Sequence, residues 1–243
     1  MPYLIDKDDI RRILEQRPSS ARRLYVEKEK AYLASKFIEL AKMKGVQFKL
    51  VPEAAIKAKI KSKGVHFFLE VEPCEYLEPE KFLELIRNRE SPLIFAFDGI
   101  YDPQNFGNIL RSAGSFKVDG IIVPKDRSCP VTERVIEISK GGYKHVKLVR
   151  VTNLPRYLET LKDLDVAVFG LDEDGETAIY DVDLTKSSCL VLGREDGLRS
   201  LTRKKCDKII KIPTSRDFPS LNLASCFAIA LYEAKRQRSL RSI

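Results

Sequence analysis

The chain has 243 residues, 44% of them hydrophobic and 32% charged, with a formal net charge of +8. That length suits one large or two ordinary domains, and the absence of any run near the ~18 apolar residues of a membrane span argues against a membrane protein and for a soluble, cytoplasmic one. Five cysteines (Cys74, Cys129, Cys189, Cys206 and Cys226) never fall into Cys-x-x-Cys spacing, and His66 and His145 stand far apart, which argues against a disulfide framework and a metal cluster.

The charge is evenly spread: residues 1–90 hold 19 Lys/Arg against 15 Asp/Glu, and the remainder 24 against 20. An anionic partner such as nucleic acid could therefore touch both halves. In the first half, Ile10, Ile13 and Leu14 predict a short helix that closes at Pro18. Residues 22–26 predict a strand, and Leu33, Phe37, Leu40 and Ala41 a helical face ended by Gly45. Strands follow at 47–51 and 65–71, and the alternation predicts a small α/β domain over residues 1–75. Between those strands Lys57, Lys59, Lys61 and Lys63 crowd a short segment, and Arg22, Arg23 and Lys49 flank the neighbouring strands. Such a run is either a solvated face or a phosphate-facing patch. Residues 76–91, rich in Glu and bracketed by prolines, are expected to be a linker around a short helical pattern through Phe82, Leu83 and Ile86.

From residue 92 the pattern is cleaner. Buried strands are predicted at 93–97, 121–123, 147–151, 166–169, 189–192 and 208–212, with helical segments at 105–115, 131–139 and from Leu154 to Leu161 between them. This order predicts a mainly parallel sheet covered on both faces by helices, with active residues in the loops at one sheet edge. The segment 92–243 is expected to be the second domain.

Three stretches in this half carry chemistry. Asp98, Asp102, Pro103 and Gly107 make a polar turn after the strand ending at Phe97, with Asn105 as a candidate helix cap and Arg111 further along that helix. Arg111 is either a structural ion-pair partner or a clamp for phosphate. After the strand 190–192 comes Gly193-Arg194-Glu195-Asp196-Gly197, whose acidic residues disfavour a pyrophosphate and suit a cationic or ribose-bearing ligand. Finally Ser220-Leu221-Asn222 leads into an apolar helical pattern through Phe227 and Leu231, placing unpaired backbone amides beside a polar loop.

Residues 98–111, 193–198 and 212–233 resemble, in order, the three signature motifs of the SpoU (TrmH-type) ribose 2′-O-methyltransferases of the SPOUT superfamily. Lys63-Gly64-Val65-His66-Phe67-Phe68 in the first half resembles the end of a ribosomal-protein-like RNA-binding domain. That domain occurs in the bacterial branch that methylates a guanosine ribose in 23S rRNA, and residues 123–128 and 151–154 look like that branch too. The resemblance implies an α/β fold with a trefoil-knotted C-terminal methyltransferase domain, a homodimer, and S-adenosylmethionine as the cofactor, without a metal. It implies catalytic roles for Arg111, Asn105, Ser220 and Asn222. Cofactor contacts would come from Leu192, Gly193, Glu195, Gly197, Ile212, Pro213, Ser220 and Leu221. RNA contacts would come from Arg22, Arg23, Lys57, Lys59, Lys61 and Lys63. The chain departs from the family pattern in a loop 193–197 one residue short, in Arg216 and Lys140, and in Ala224. A tRNA-directed relative and an RNA-binding protein without catalysis are the remaining alternatives.

Overall fold

A computed structural model describes residues 3–240 apart from 17, 19–20, 63, 72–75, 195, 216 and 218–220. Among the site residues expected above, Lys63, Glu195 and Ser220 lie outside the described residues, as does Arg216. The chain divides into two compact units, Met1–Glu75 and Tyr76–Ile243.

The smaller unit runs β1 (Tyr3–Leu4), α1 (Lys7–Gln16), β2 (Ala21–Glu27), α2 (Ser35–Met43), β3 (Phe48–Val51), α3 (Glu53–Lys59) and β4 (Phe67–Val71). Its sheet has the order β1-β4-β2-β3, with β2 and β3 parallel and the other neighbours antiparallel. Leu24 and Val26 of β2 bury against Ile10, Leu14, Phe37 and Ala41 of α1 and α2. Tyr25, between them in sequence, points to the opposite face and stacks on Phe68 at 4.9 Å. The helix expected through Leu33, Phe37, Leu40 and Ala41 begins instead as a 3-10 segment, Lys28–Ala34, kinked at Lys30. Regular α geometry starts only at Ser35.

The larger unit begins earlier than the sequence pattern suggests. Its elements are α4 (Pro79–Arg87), β5 (Leu93–Phe97), α5 (Pro103–Ser115), β6 (Gly120–Pro124), α6 (Glu133–Ser139), β7 (Leu148–Val151), α7 (Leu154–Lys162), β8 (Ala167–Leu171), β9 (Thr177–Ala178), β10 (Ser188–Leu192), α8 (Ser200–Lys205), β11 (Lys208–Lys211) and α9 (Leu223–Leu240). The stretch 76–91, expected to be a linker, is part of this unit: Leu77 bridges to Val149, and Phe82 and Ile86 of α4 are buried in its core. Tyr157 of α7 also donates to the Pro79 carbonyl at 2.8 Å. Glu and Pro density reads like a linker because the exposed face of a short amphipathic helix has the same composition.

The seven-stranded sheet has the order β7-β6-β5-β10-β8-β11-β9, and every neighbouring pair is parallel. Its inner strands β6, β5, β10 and β8 are apolar but for Ser188, as two covered faces require, whereas β11 carries Lys208 and Lys211. Ile94 and Ala96 of β5 pack with α4 and α7 on one face. Phe95 and Phe97 meet Phe227 of α9 on the other, at 4.7 and 5.8 Å.

The register fixes where a site can form. Leu192 of β10 lies beside Phe97 of β5 and Leu171 of β8, and Leu171 beside Ile210 of β11. Four adjacent parallel strands therefore stop at nearly one level. The segments following them, from residues 98, 172, 193 and 212, emerge together along one edge of the sheet.

Candidate active site

At that edge the two loops after β5 and β10 are tied together from below. Asp98, 1% exposed, accepts from the Arg199 backbone N–H at 2.9 Å, Arg199 Nε at 2.8 Å and Thr202 Oγ1 at 2.8 Å, and also pairs with Arg199 Nη2. Its own N–H donates to the Leu192 carbonyl at 2.9 Å. A carboxylate taken out of water needs such partners, and here they bind the two loops into one body. The same contact holds the Arg199 guanidinium above its ordinary pKa, chiefly through the Asp98 hydrogen bond.

The loop after β10 is a tight turn in which Arg194 and Gly197 exchange both backbone hydrogen bonds, at 3.2 and 3.0 Å. Gly197 has φ +82°, and a Cβ on Gly193 would come within 2.3 Å of the Gly197 backbone, so both ends of the turn require glycine. Asp172, after β8, braces this turn: its Oδ2 accepts the Leu198 N–H at 3.2 Å and pairs with Arg203 at 3.1 Å.

The convergent loops enclose a cavity of about 660 Å³. Leu192, Gly193, Gly197, Ile212, Pro213 and Leu221, all expected as cofactor contacts, line it. So do Asp172, Glu173, Asp174, Arg194, Arg203 and Lys211, which sequence reasoning did not select. The available signal was the same one used at Asp98 and Gly193: an apolar strand followed at once by acidic residues and a glycine, here Asp172-Glu173-Asp174-Gly175.

Two of the expected catalytic residues meet directly. Asn222 Nδ2 donates to Asn105 Oδ1 at 2.9 Å across 117 positions of sequence. Asn222 also opens α9, its Oδ1 accepting the Ala224 N–H at 2.9 Å and its carbonyl the Cys226 N–H. The cap of α5, however, is not Asn105. Asp102 accepts from the N–H groups of Gln104 and Asn105, at 3.0 and 3.1 Å, with Pro103 at the first helical position, where its missing donor costs nothing. Asn105 is thereby turned inward and 8% exposed.

Arg111 does not join this group. Six residues beyond Asn105 on an α-helix lies about 240° further around the axis. Its side chain is exposed, makes no hydrogen bond or ion pair among the described residues, and is not among those lining the cavity. Cysteine chemistry is not prepared here either. Burial pushes the Cys129 thiol up to about 11 and the Cys206 thiol up to about 12, so both stay protonated at neutral pH.

In the smaller unit, Lys57 and Lys59 of α3 and the following Lys61 are exposed, as is Arg22. Lys57 pairs with Glu53 at 2.8 Å, Arg23 donates to Gln47 at 3.0 Å, and Lys59 lies over the rings of Tyr25 and Tyr3, at 4.6 and 5.2 Å.

Comparison with known proteins gives a consistent result. The model of the SpoU rRNA Methylase family matches residues 92–232. The chain is 35% identical over 229 residues to RlmB of Coxiella burnetii, a 23S rRNA (guanosine-2′-O-)-methyltransferase, covering 93% of this chain and 92% of that one. It is 40% identical over 169 residues to RlmB of Vibrio vulnificus, covering 69% and 68% of the two. Its fold matches the SpoU methyltransferase AviRb of Streptomyces viridochromogenes, solved with AdoMet, at TM-score 0.71 and 24% identity over 98% of this chain and 90% of that one.

Proposed function

The chain belongs to the SpoU rRNA methylase family, and from that membership we propose that it transfers a methyl group from S-adenosylmethionine to the 2′-hydroxyl of a guanosine ribose in 23S rRNA. The observation that carries this reading is the meeting of three sequence-distant loops at one cavity, with Asn105 and Asn222 bonded beside it, in a chain similar to RlmB over nearly its whole length.

The cavity suits the cofactor. About 660 Å³ is within the usual range for a small-molecule site. Leu192, Leu198, Ile212, Leu221 and Leu223 offer apolar cover to an adenine, Asp172, Glu173 and Asp174 suit hydroxyls and positive charge, and Arg203 and Lys211 suit a carboxylate. When bound, S-adenosylmethionine supplies an electrophilic methyl on a cationic sulfur.

The chain's residues then have to align and activate the hydroxyl. The Asn105–Asn222 pair fixes two amides against each other, so that the Asn105 NH₂ is held in one direction to position the ribose. Arg111 would stabilise the negative charge that develops on the 2′-oxygen as its proton leaves to phosphate or water. A neutral arginine base is disfavoured, since discharging a guanidinium at pH 7 costs about 7 kcal/mol.

This reading includes a homodimer. The helix α9 buries Phe227, Ala230, Leu231 and Ala234, while Ile229, Tyr232 and Leu240 of the same helix stay exposed. A second apolar face of this kind suits pairing of α5 and α9 with another copy. Arg111, which does not line the cavity of its own chain, would then serve the partner's. Lys57, Lys59, Lys61, Arg22 and Arg23 of the smaller unit supply phosphate contacts to the RNA. The enzyme accordingly works in the cytoplasm, and no helix among the described residues is long and apolar enough to cross a membrane.

The test is direct. Incubated with methyl-labelled S-adenosylmethionine and an unmodified 23S rRNA transcript, the protein should leave one ribose resistant to alkaline cleavage. Label in tRNA alone, or none in either RNA, would refute the assignment.

A further inference from the structure

Above the Asp98 clamp, on the outer side of the same two loops, lies a pair of side chains that the reaction scheme leaves unused. Tyr101 is 56% exposed, on a well-fixed backbone. Its backbone is held on both sides: the Ile100 N–H donates to the Arg127 carbonyl at 3.0 Å, the Cys129 N–H donates to the Ile100 carbonyl at 2.6 Å, and Asp102 caps α5. Arg194 runs from the cavity wall across Gly99, where an added Cβ would come within 3.0 Å of Arg194 Cδ, and sets its guanidinium 5.7 Å from the Tyr101 ring centre. Its ion-pair partner is Asp196, whose side chain is 66% exposed. An ion pair so open to solvent contributes little, so another anion can take the place of Asp196 at small cost.

We infer that Tyr101 and Arg194 form the seat for the target nucleotide, with its base stacked on the Tyr101 ring and Arg194 holding the adjacent phosphate. This inference rests on the ribose-methylation reading and deepens it. Three features support an RNA occupant. An exposed aromatic ring beside a guanidinium is the surface on which unpaired bases stack. A guanidinium whose ion-pair partner among the described residues is an exposed carboxylate can take a phosphate by two parallel hydrogen bonds. The place is also right, because Arg194 lines the cofactor cavity and Tyr101 stands four residues before Asn105. A base must leave its stack for its ribose to reach the cavity, and the seat receives it when it does.

Arg194 and Tyr101 would touch the RNA, so the test separates RNA from cofactor. In single-turnover methylation of the 23S rRNA transcript, Tyr101→Ala should raise the half-saturating RNA concentration by about 10-fold or more, with Tyr101→Phe near wild type. Arg194→Ala should lower the salt-dependence slope of RNA binding by roughly 0.7 to 0.9, the amount for one lost phosphate contact. Titrated with S-adenosylmethionine alone, Tyr101→Ala should keep its affinity within about threefold. Unchanged RNA saturation in Tyr101→Ala, an equal loss of cofactor affinity, or an altered oligomeric state in sedimentation would each overturn the seat. Failure of the parent reading has a different signature: the wild-type protein leaves the transcript unmethylated, and the seat falls with it.

Discussion

Arg194 and Arg199 stand five residues apart on one loop and each faces an aspartate, yet the two pairs differ in almost every physical respect. Asp98 is 1% exposed and also receives the Arg199 backbone N–H and the Thr202 hydroxyl. Asp196 is largely in solvent and its guanidinium partner lies over an exposed ring. Removing water makes the first pair a fixed joint between two loops, because every unmet group there carries its full desolvation cost. Leaving water in place makes the second pair a weak and exchangeable contact. The floor of the site is thus scaffold and its rim is available to a ligand.

The strongest way to break this contrast is at the floor. Asp98→Ala strands Arg199 and Thr202 and should cost about 3 kcal/mol or more of stability in chemical denaturation, with cofactor binding lost as the loops separate. A loss under about 1 kcal/mol would mean that the buried pair is no joint at all.

Arg111 tests the opposite case, a cation that is exposed but expected to act in the reaction. Arg111→Ala should lower single-turnover methylation by about 100-fold while leaving the melting temperature and cofactor affinity close to wild type. Arg111→Lys should recover little, since a point charge lacks the planar fork. Full activity per folded molecule would remove Arg111 from the mechanism.

Between these extremes lies Asn222, which bonds Asn105 and caps α9. Asn222→Ala should lose roughly 1 to 2 kcal/mol of stability, the usual worth of a cap. Turnover should fall further than unfolding explains, and the ratio of the two effects measures how much of Asn222 is scaffold.

Smallest of all is the change at the rim. Asp196→Ala should alter stability by less than about 1 kcal/mol, as an exposed pair allows, and RNA should bind slightly more tightly once Arg194 has lost its competing carboxylate. Weaker RNA binding in this variant would assign Asp196 a direct role and sharpen the picture of the rim.

Read locally, the chain discloses its elements wherever burial is periodic. Strand 93–97 follows from a continuous apolar run, and the helix holding Asn105 and the apolar turns of α9 from the period of 3.6 that backbone geometry imposes. The polar loops at Asp98, Gly193 and Asn222 are legible because each borders an apolar run. Residues 76–91 misled because α4 is short, and its buried Phe82 and Ile86 are outnumbered by the exposed Glu78, Glu80, Glu84 and Glu90.

What tertiary structure alone decided is which of these loops meet. The parallel order β5-β10-β8-β11 brings residues 98, 193, 172 and 212 to one edge, and no local period encodes the order of strands in a sheet. For that reason the Asp98–Arg199 joint, spanning 101 positions, and the Asp172 brace were invisible in the sequence. The side of α5 that Arg111 occupies could have been counted from the helical period, but what lies on that side could not. Periodicity tells a residue which way to face, and only the assembled sheet determines what it faces.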